Sequence, residues 1–228
     1  MKLLNLLNSK MNKNQKLKQT WGFQDLMQYR IHEILLVASP YDAFILEEDG
    51  KLTEQILTEY IGMNLSYAPR VWNASSARKA NQMIKERFFD LIIVMIRISD
   101  IDPFKFSKKL KIKYPDKPIV LLAFDQSEIK HISENDKKIF DEIFIWSGNS
   151  NVFPATIKSI EDKRNINEDI KTADIRTIIF IEDTPRFYSS ILPVLYKEII
   201  YHTKQLIDKS LNNSQKLLHM RARPKIIH

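Results

Sequence analysis

Between Ile31 and about residue 168, short apolar runs alternate with stretches whose apolar residues recur at helical spacing. EILLVAS, PRVWNAS, FDLIIVMIRI, PIVLLAF and DEIFIWS read as strands, the longer ones apolar on both faces, as in a parallel sheet covered on both sides. Between them EQILTEYIGMNL, SARKANQMIKERF, FKFSKKLKIKY and SEIKHISENDKKI read as helices, and VFPATIKSIEDKRNI closes the series with Ile157, Ile160 and Ile166 on one face. This rhythm predicts right-handed βαβ crossovers and an α/β fold, a doubly wound five-stranded parallel sheet.

The pattern then begins again. RTIIFIED reads as a strand, a long helical stretch follows from Phe187 to about His219, and PKII reads as a further strand. Aligning EILLVASPYDAFI with RTIIFIEDTPRFYSSI gives strand, Pro, aromatic and helix in similar order, a weak internal repeat. The expected organisation is a basic arm over 1–22, a complete domain over 23–168, and a truncated second module over 169–228.

Composition narrows the chemistry. The 228 residues include no cysteine, which removes disulfide scaffolds, thiolate metal sites and cysteine nucleophiles. No apolar run approaches a membrane span, and the N-terminal apolar patch is too short for a signal peptide, so a cytoplasmic protein without membrane contact is expected. The net charge of +7 is uneven: residues 1–30 and 203–228 each carry +5, leaving −3 between them. The tail HMRARPK has no interleaved aromatics and reads as a solvated loop before a strand, so no specific nucleic-acid binding is expected.

In an open α/β sheet, chemistry sits beyond the carboxyl ends of the strands. Those tips carry Ala38 and Ser39 after the first strand, Met95 at the end of the third, Ala123 at the end of the fourth and Trp146 after the fifth. Asp100 and Asp102, two residues apart before Pro103, read as turn chemistry and a helix cap. Only four glycines are present, and no glycine-rich phosphate cradle. The five histidines show no metal-ligand spacing. Glu182 and Asp183 follow the sixth apolar run and are candidate metal-binding acids of the second module, or exposed acids near a helix start.

The order of five units, with SDIDPF after the third strand, resembles the receiver domain of two-component response regulators. The resemblance implies a magnesium site built on an acidic pair, a phosphoacceptor aspartate, a hydroxyl and a lysine. Those places fall on Ala38 and Ser39, Met95, Ala123 and Trp146, so it also implies a degenerate pocket unable to take a phosphoryl group or a metal. Magnesium is expected only in an intact second module. Longer stretches, SPYDAFILEEDG and EDTPRFYSS among them, resemble the N-terminal region of bacterial phosphoenolpyruvate synthase / pyruvate phosphate dikinase-type proteins, where two receiver-like modules precede the catalytic region. That implies a non-catalytic regulatory front end, and none of the parent enzyme's catalytic segments lies in this chain. The expected partners are another protein or further domains of the same chain, met through a face near Ile143–Ile166. A homodimer through the long helix is also expected, since Ile191, Leu195, Ile199 and Leu206 need cover. The competing readings are a phosphotransferase fragment and a second module competent for phosphorylation.

Overall fold

A computed structural model describes residues 27–48, 51–62, 68–148, 151–208 and 223–228. The chain forms two compact units, one of Arg30–Ile160 with Ile181–Glu198, the other of the described parts of Met1–Tyr29, Glu161–Phe180 and Ile199–His228.

The larger unit contains β1 (Glu33–Val37), α1 (Pro40–Glu48), α2 (Leu52–Gly62), β2 (Arg70–Ala74), α3 (Ala77–Glu86), β3 (Leu91–Met95), α4 (Pro103–Lys113), β4 (Ile119–Ala123), α5 (Gln126–Lys130), α6 (Glu134–Lys137) and β5 (Glu142–Ile145). The strands pair in the order β2-β1-β3-β4-β5, parallel throughout. This is the flavodoxin-like doubly wound order, whose functional crevice lies beyond the strand carboxyl ends. β3, β4 and β5 are buried at every position, as strands covered on both faces must be.

On one face Leu35, Val37, Ile92, Val94, Ile119 and Leu121 pack with Ala77 and Ala80 of α3, Phe106 and Leu110 of α4, and Ile129 of α5. The apolar spacing of α3 and α4 presents these residues inward, and their starts are set by capping. Ser76 accepts the Lys79 amide at 3.1 Å, and Asp102 accepts that of Lys105 at 2.8 Å ahead of Pro103. The stretch expected as one helix over SEIKHISENDKKI is two short ones, because Ser133 accepts the Asp136 amide and starts α6 afresh after α5 has ended at His131.

α7 (Val152–Ala173) runs unbroken through residue 168, where a domain boundary was expected. Ile157 and Ile160 are buried, whereas Ile166 is only half-buried. From Glu161 onward the buried face of α7 is polar, made of Asp162, Asn165 and Asp169. α8 (Pro185–Asp208) is the described part of the expected helix, and residues 209–222 lie outside the described residues. Its inward residues are Tyr188, Ser189, Leu192 and Tyr196. Of the four expected to need cover, Ile191 is 40% exposed, Leu195 and Ile199 are half-buried, and the Leu206 side chain is outside the described set.

Tyr188 and Ser189 close the sheet. β5 is one of the two edge strands, and its Ile145 amide donates to the Ser189 hydroxyl at 2.9 Å. The Tyr188 hydroxyl donates to the Ile143 carbonyl, and its ring stands edge-on to Phe144 with centroids 5.7 Å apart. Burial pushes the Tyr188 phenol well above its usual range, and the Glu142 carboxylate adds to that. The face near Ile143–Ile166, expected to meet a partner, is therefore occupied at its strand edge by the chain's own helix.

The smaller unit holds a two-stranded parallel sheet, β6 (Thr177–Ile179) with β7 (Lys225–Ile227). At Arg223 and Lys225, part of the tail expected to be solvated, the side chains instead join a buried ion network. Arg223 is 4% exposed and grips Asp162 through both terminal nitrogens at 2.6 and 2.9 Å. Lys225, at 0% exposure, lies 3.1 Å from Asp169. Asp169 also accepts the Met27 amide, and Asn165 that of Tyr29, both at 2.8 Å. Part of the C-terminal positive charge is thus neutralised inside the molecule. Among the described residues no helix is long and apolar enough to cross a membrane.

Candidate functional site

The strand tips converge as the sequence implies. The Ala38 amide donates to the Ala74 carbonyl at 3.1 Å, Ser39 to Arg97 at 3.0 Å, and Trp146 to Ala123 at 2.8 Å. Ala38, Met95, Ala123 and Trp146 are all buried. These four strand-tip positions thus present two methyl groups, a thioether and an indole. Ser39 is the one hydroxyl, and its oxygen accepts the Asp42 amide at 3.1 Å, opening the first turn of α1.

Four further residues at these tips escaped sequence reasoning. The Arg97 guanidinium donates to one oxygen of Glu128 through Nε at 3.2 Å and Nη2 at 2.7 Å. The other Glu128 oxygen accepts the Phe124 amide at 2.8 Å. Arg97 also stands over the Phe124 ring at 5.6 Å, and that ring meets Trp146 edge-on at 5.5 Å. One connected set of contacts therefore runs from the β3 tip across β4 to the β5 tip. The fourth residue is Asp42, 1% exposed. Burial raises its pKa, opposed by the Ser39 hydroxyl and the Arg97 charge and reinforced by Glu128. The S-x-x-D spacing of Ser39 and Asp42 was the available signal for this helix start.

A hard divalent cation needs several oxygen ligands. Ala38, Met95 and Ala123 have none to give. Glu128 is engaged by Arg97, and Asp125 accepts the Ser127 amide at 2.6 Å as the cap of α5. No group of three His, Asp or Glu side chains among the described residues is placed to hold a metal ion. Ala38, Met95, Ala123 and Trp146 thus bring no oxygen ligand for a magnesium ion.

Asp100 and Asp102 are used structurally. Asp100 accepts the Ala77 amide at 2.7 Å and the Arg78 amide at 2.9 Å at the start of α3, and Asp102 caps α4. Slight burial pushes the Asp100 carboxyl up, and those backbone hydrogen bonds outweigh it and leave the pKa below its usual value. Glu182 and Asp183 lie in the turn before α8, where Glu182 accepts the Thr184 amide at 2.9 Å and Asp183 meets the Thr184 hydroxyl at 3.2 Å.

No family model matches the chain, and no curated protein matches it. Among solved structures it is similar to response-regulator receiver domains. A CheY-like receiver domain protein from Methanospirillum hungatei JF-1 is 18% identical, with 60% of this chain and 98% of that one covered at a TM-score of 0.45. Response regulator TrrA from Thermotoga maritima, in complex with Mg(2+)-BeF, is 19% identical over 56% of this chain and 97% of its own, at 0.43. Chemotaxis response regulator CheY4 of Vibrio cholerae is 18% identical over 55% and 95%, at 0.42. The α/β, flavodoxin-like fold follows from the strand order and parallel register themselves.

Proposed function

We propose that this chain is a regulatory module whose receiver-like unit does no phosphoryl chemistry and acts through protein contacts. The observation that carries this reading is the set of buried strand tips, Ala38, Met95, Ala123 and Trp146, which offers neither a nucleophilic carboxylate nor an oxygen ligand. Arg97 supports it further. Its guanidinium sits beside the tips, already neutralised by Glu128, and ties the β3 and β4 ends together without a metal.

On this reading the unit holds one conformation and works as a surface. Phe187, Ile191 and Val194 of α8 remain exposed on the side away from Leu192 and Tyr196, which favours contact with a protein partner or a second copy. The resemblance of SPYDAFILEEDG and EDTPRFYSS makes a phosphoenolpyruvate synthase-type protein the proposed parent. Incubation with acetyl phosphate and Mg²⁺, followed by intact-mass measurement, tests the proposal, which requires that no phosphoryl adduct form.

A further inference from the structure

The negative balance of the chain's middle conceals a segregated positive face. α3 carries three cations and one acid, and α4 carries five lysines and no acid in eleven residues. Both helices pack on the same side of the sheet, so their outward faces adjoin. Between α3 and the loop leading into α4 lies an open groove of about 490 Å³, lined by Arg78, Asn81, Gln82 and Lys85 from α3 and by Asp100 and Ile101 from the loop.

The charges on this face have little internal compensation. Lys111 is paired with Asp141 at 2.7 Å, while Lys85, Lys105, Lys108, Lys109 and Lys113 are exposed and have no ion pair among the described residues. Arg78 faces Asp100, whose carboxylate is committed to the start of α3. Lys105–Lys109 and Lys109–Lys113 are like-charge pairs at i,i+4, which repel, and Lys105 stands in the first turn, where the helix dipole disfavours a cation. A solvated surface ordinarily mixes both signs.

We infer that the outer face of α3 and α4 docks an acidic segment of a partner protein, with the groove over Ile101 taking an apolar side chain between flanking carboxylates. Charge complementarity selects the partner, and the shape of the groove selects a peptide. A single strand of nucleic acid needs free aromatic faces for stacking. Nearby, Arg87 lies over the Trp72 ring at 3.8 Å and Lys117 over that of Phe88 at 3.5 Å, and Phe88, though 70% exposed, is a single ring rather than a stacking platform. A membrane surface needs an apolar stripe, and Ile112 is the single exposed large apolar residue of α4. This inference does not depend on whether the strand tips accept phosphate.

The test uses the full chain and a fluorescein-labelled peptide, Glu-Glu-Asp-Glu-Leu-Glu-Asp-Glu-Glu, with its Leu→Ser version, a single-stranded oligodeoxynucleotide and phosphatidylserine vesicles run in parallel. The peptide is expected to bind, to weaken with added salt, and to shift the amides of Asn81, Gln82 and Ile101. Lys85→Glu with Lys109→Glu should weaken it about tenfold, the Leu→Ser peptide should bind less well, and Lys10→Glu with Lys13→Glu in the N-terminal arm should change little. Unchanged circular dichroism confirms that the variants fold. The inference is overturned if the α3–α4 reversal leaves affinity unaltered, if the arm reversal abolishes binding, or if the oligonucleotide or vesicles bind more tightly through the same residues.

Discussion

The amide of Ile145 on β5 donates a hydrogen bond to the hydroxyl of Ser189 on α8 at 2.9 Å, so the β5 edge of the five-stranded sheet is covered there by the chain's own side chain. An open strand edge invites pairing with another chain, and covering it with a helix is a common remedy. Leu192, Tyr196 and Tyr188 bury apolar surface around that bond, which makes the first turns of α8 part of the larger unit.

Ser189→Ala removes the acceptor while leaving a buried N–H donor behind, and should cost about 1–2 kcal/mol. Urea denaturation measures the loss, and amide exchange at Ile145 should speed up selectively. Tyr188→Phe should cost about 1 kcal/mol by the same logic, with the ring packing on Phe144 retained.

Asp42 gives a pH signature. Its carboxyl is buried, and its pKa is raised above the usual 3.8, chiefly by burial. The folded chain therefore keeps this proton at pH values where the unfolded chain has released it. The contribution of Asp42 is fully present below pH 3.8 and is lost as pH rises through the folded value. Asp42→Asn removes that dependence, so its stability relative to the parent should improve steadily from acid toward neutral pH. Paired denaturation curves across that range check the slope.

Lys225 titrates in the opposite window. Burial first, then the neighbouring Arg223 charge, pull its pKa from 10.5 down to about 8, against the pull of Asp162 and Asp169. Between those values the unfolded chain holds more protons than the folded one, so stability should rise with pH, by up to about 3 kcal/mol. Lys225→Met should abolish that rise in a comparison of denaturation midpoints. Asp162→Ala should be far more damaging, at about 3–5 kcal/mol, because it leaves the Arg223 charge buried and the Ile226 amide without its acceptor.

Placing a carboxylate at a strand tip should not create phosphoryl chemistry. Met95→Asp places a carboxylate at a position 1% exposed, beside Ala38 and Ala123, with no cation ligand set around it. It should lower stability by at least about 2 kcal/mol and still yield no phosphorylated protein by intact mass.

The parallel sheet was legible because each strand is a short apolar run that the βαβ rhythm repeats, and the tips Ala38, Met95, Ala123 and Trp146 stand where that rhythm puts them. α1 was harder to read, since Asp42 is buried while Tyr41 and Phe44 point outward, so its polar and apolar positions are not segregated by periodicity. The polar half of α7 was hidden for a different reason. Asp162 and Asp169 are buried by partners such as Arg223 and Met27, which lie far away in sequence, and a local pattern cannot show them. The same distance hid the link between Ser189 and Ile145. Arg97 stands at the end of a strong apolar run, and its pairing with Glu128 depends on how two loops meet above the sheet.

The central claim is that the strand tips hold neither a metal nor a phosphoryl group, and intact mass tests it most directly. The full chain is incubated with acetyl phosphate and Mg²⁺ beside a phosphorylatable receiver domain as positive control, and both are weighed intact. The account predicts a shifted mass for the control and an unchanged mass for this chain. A stoichiometric phosphoryl adduct on this chain, mapped to Asp42, Asp100 or any other carboxylate, would contradict it.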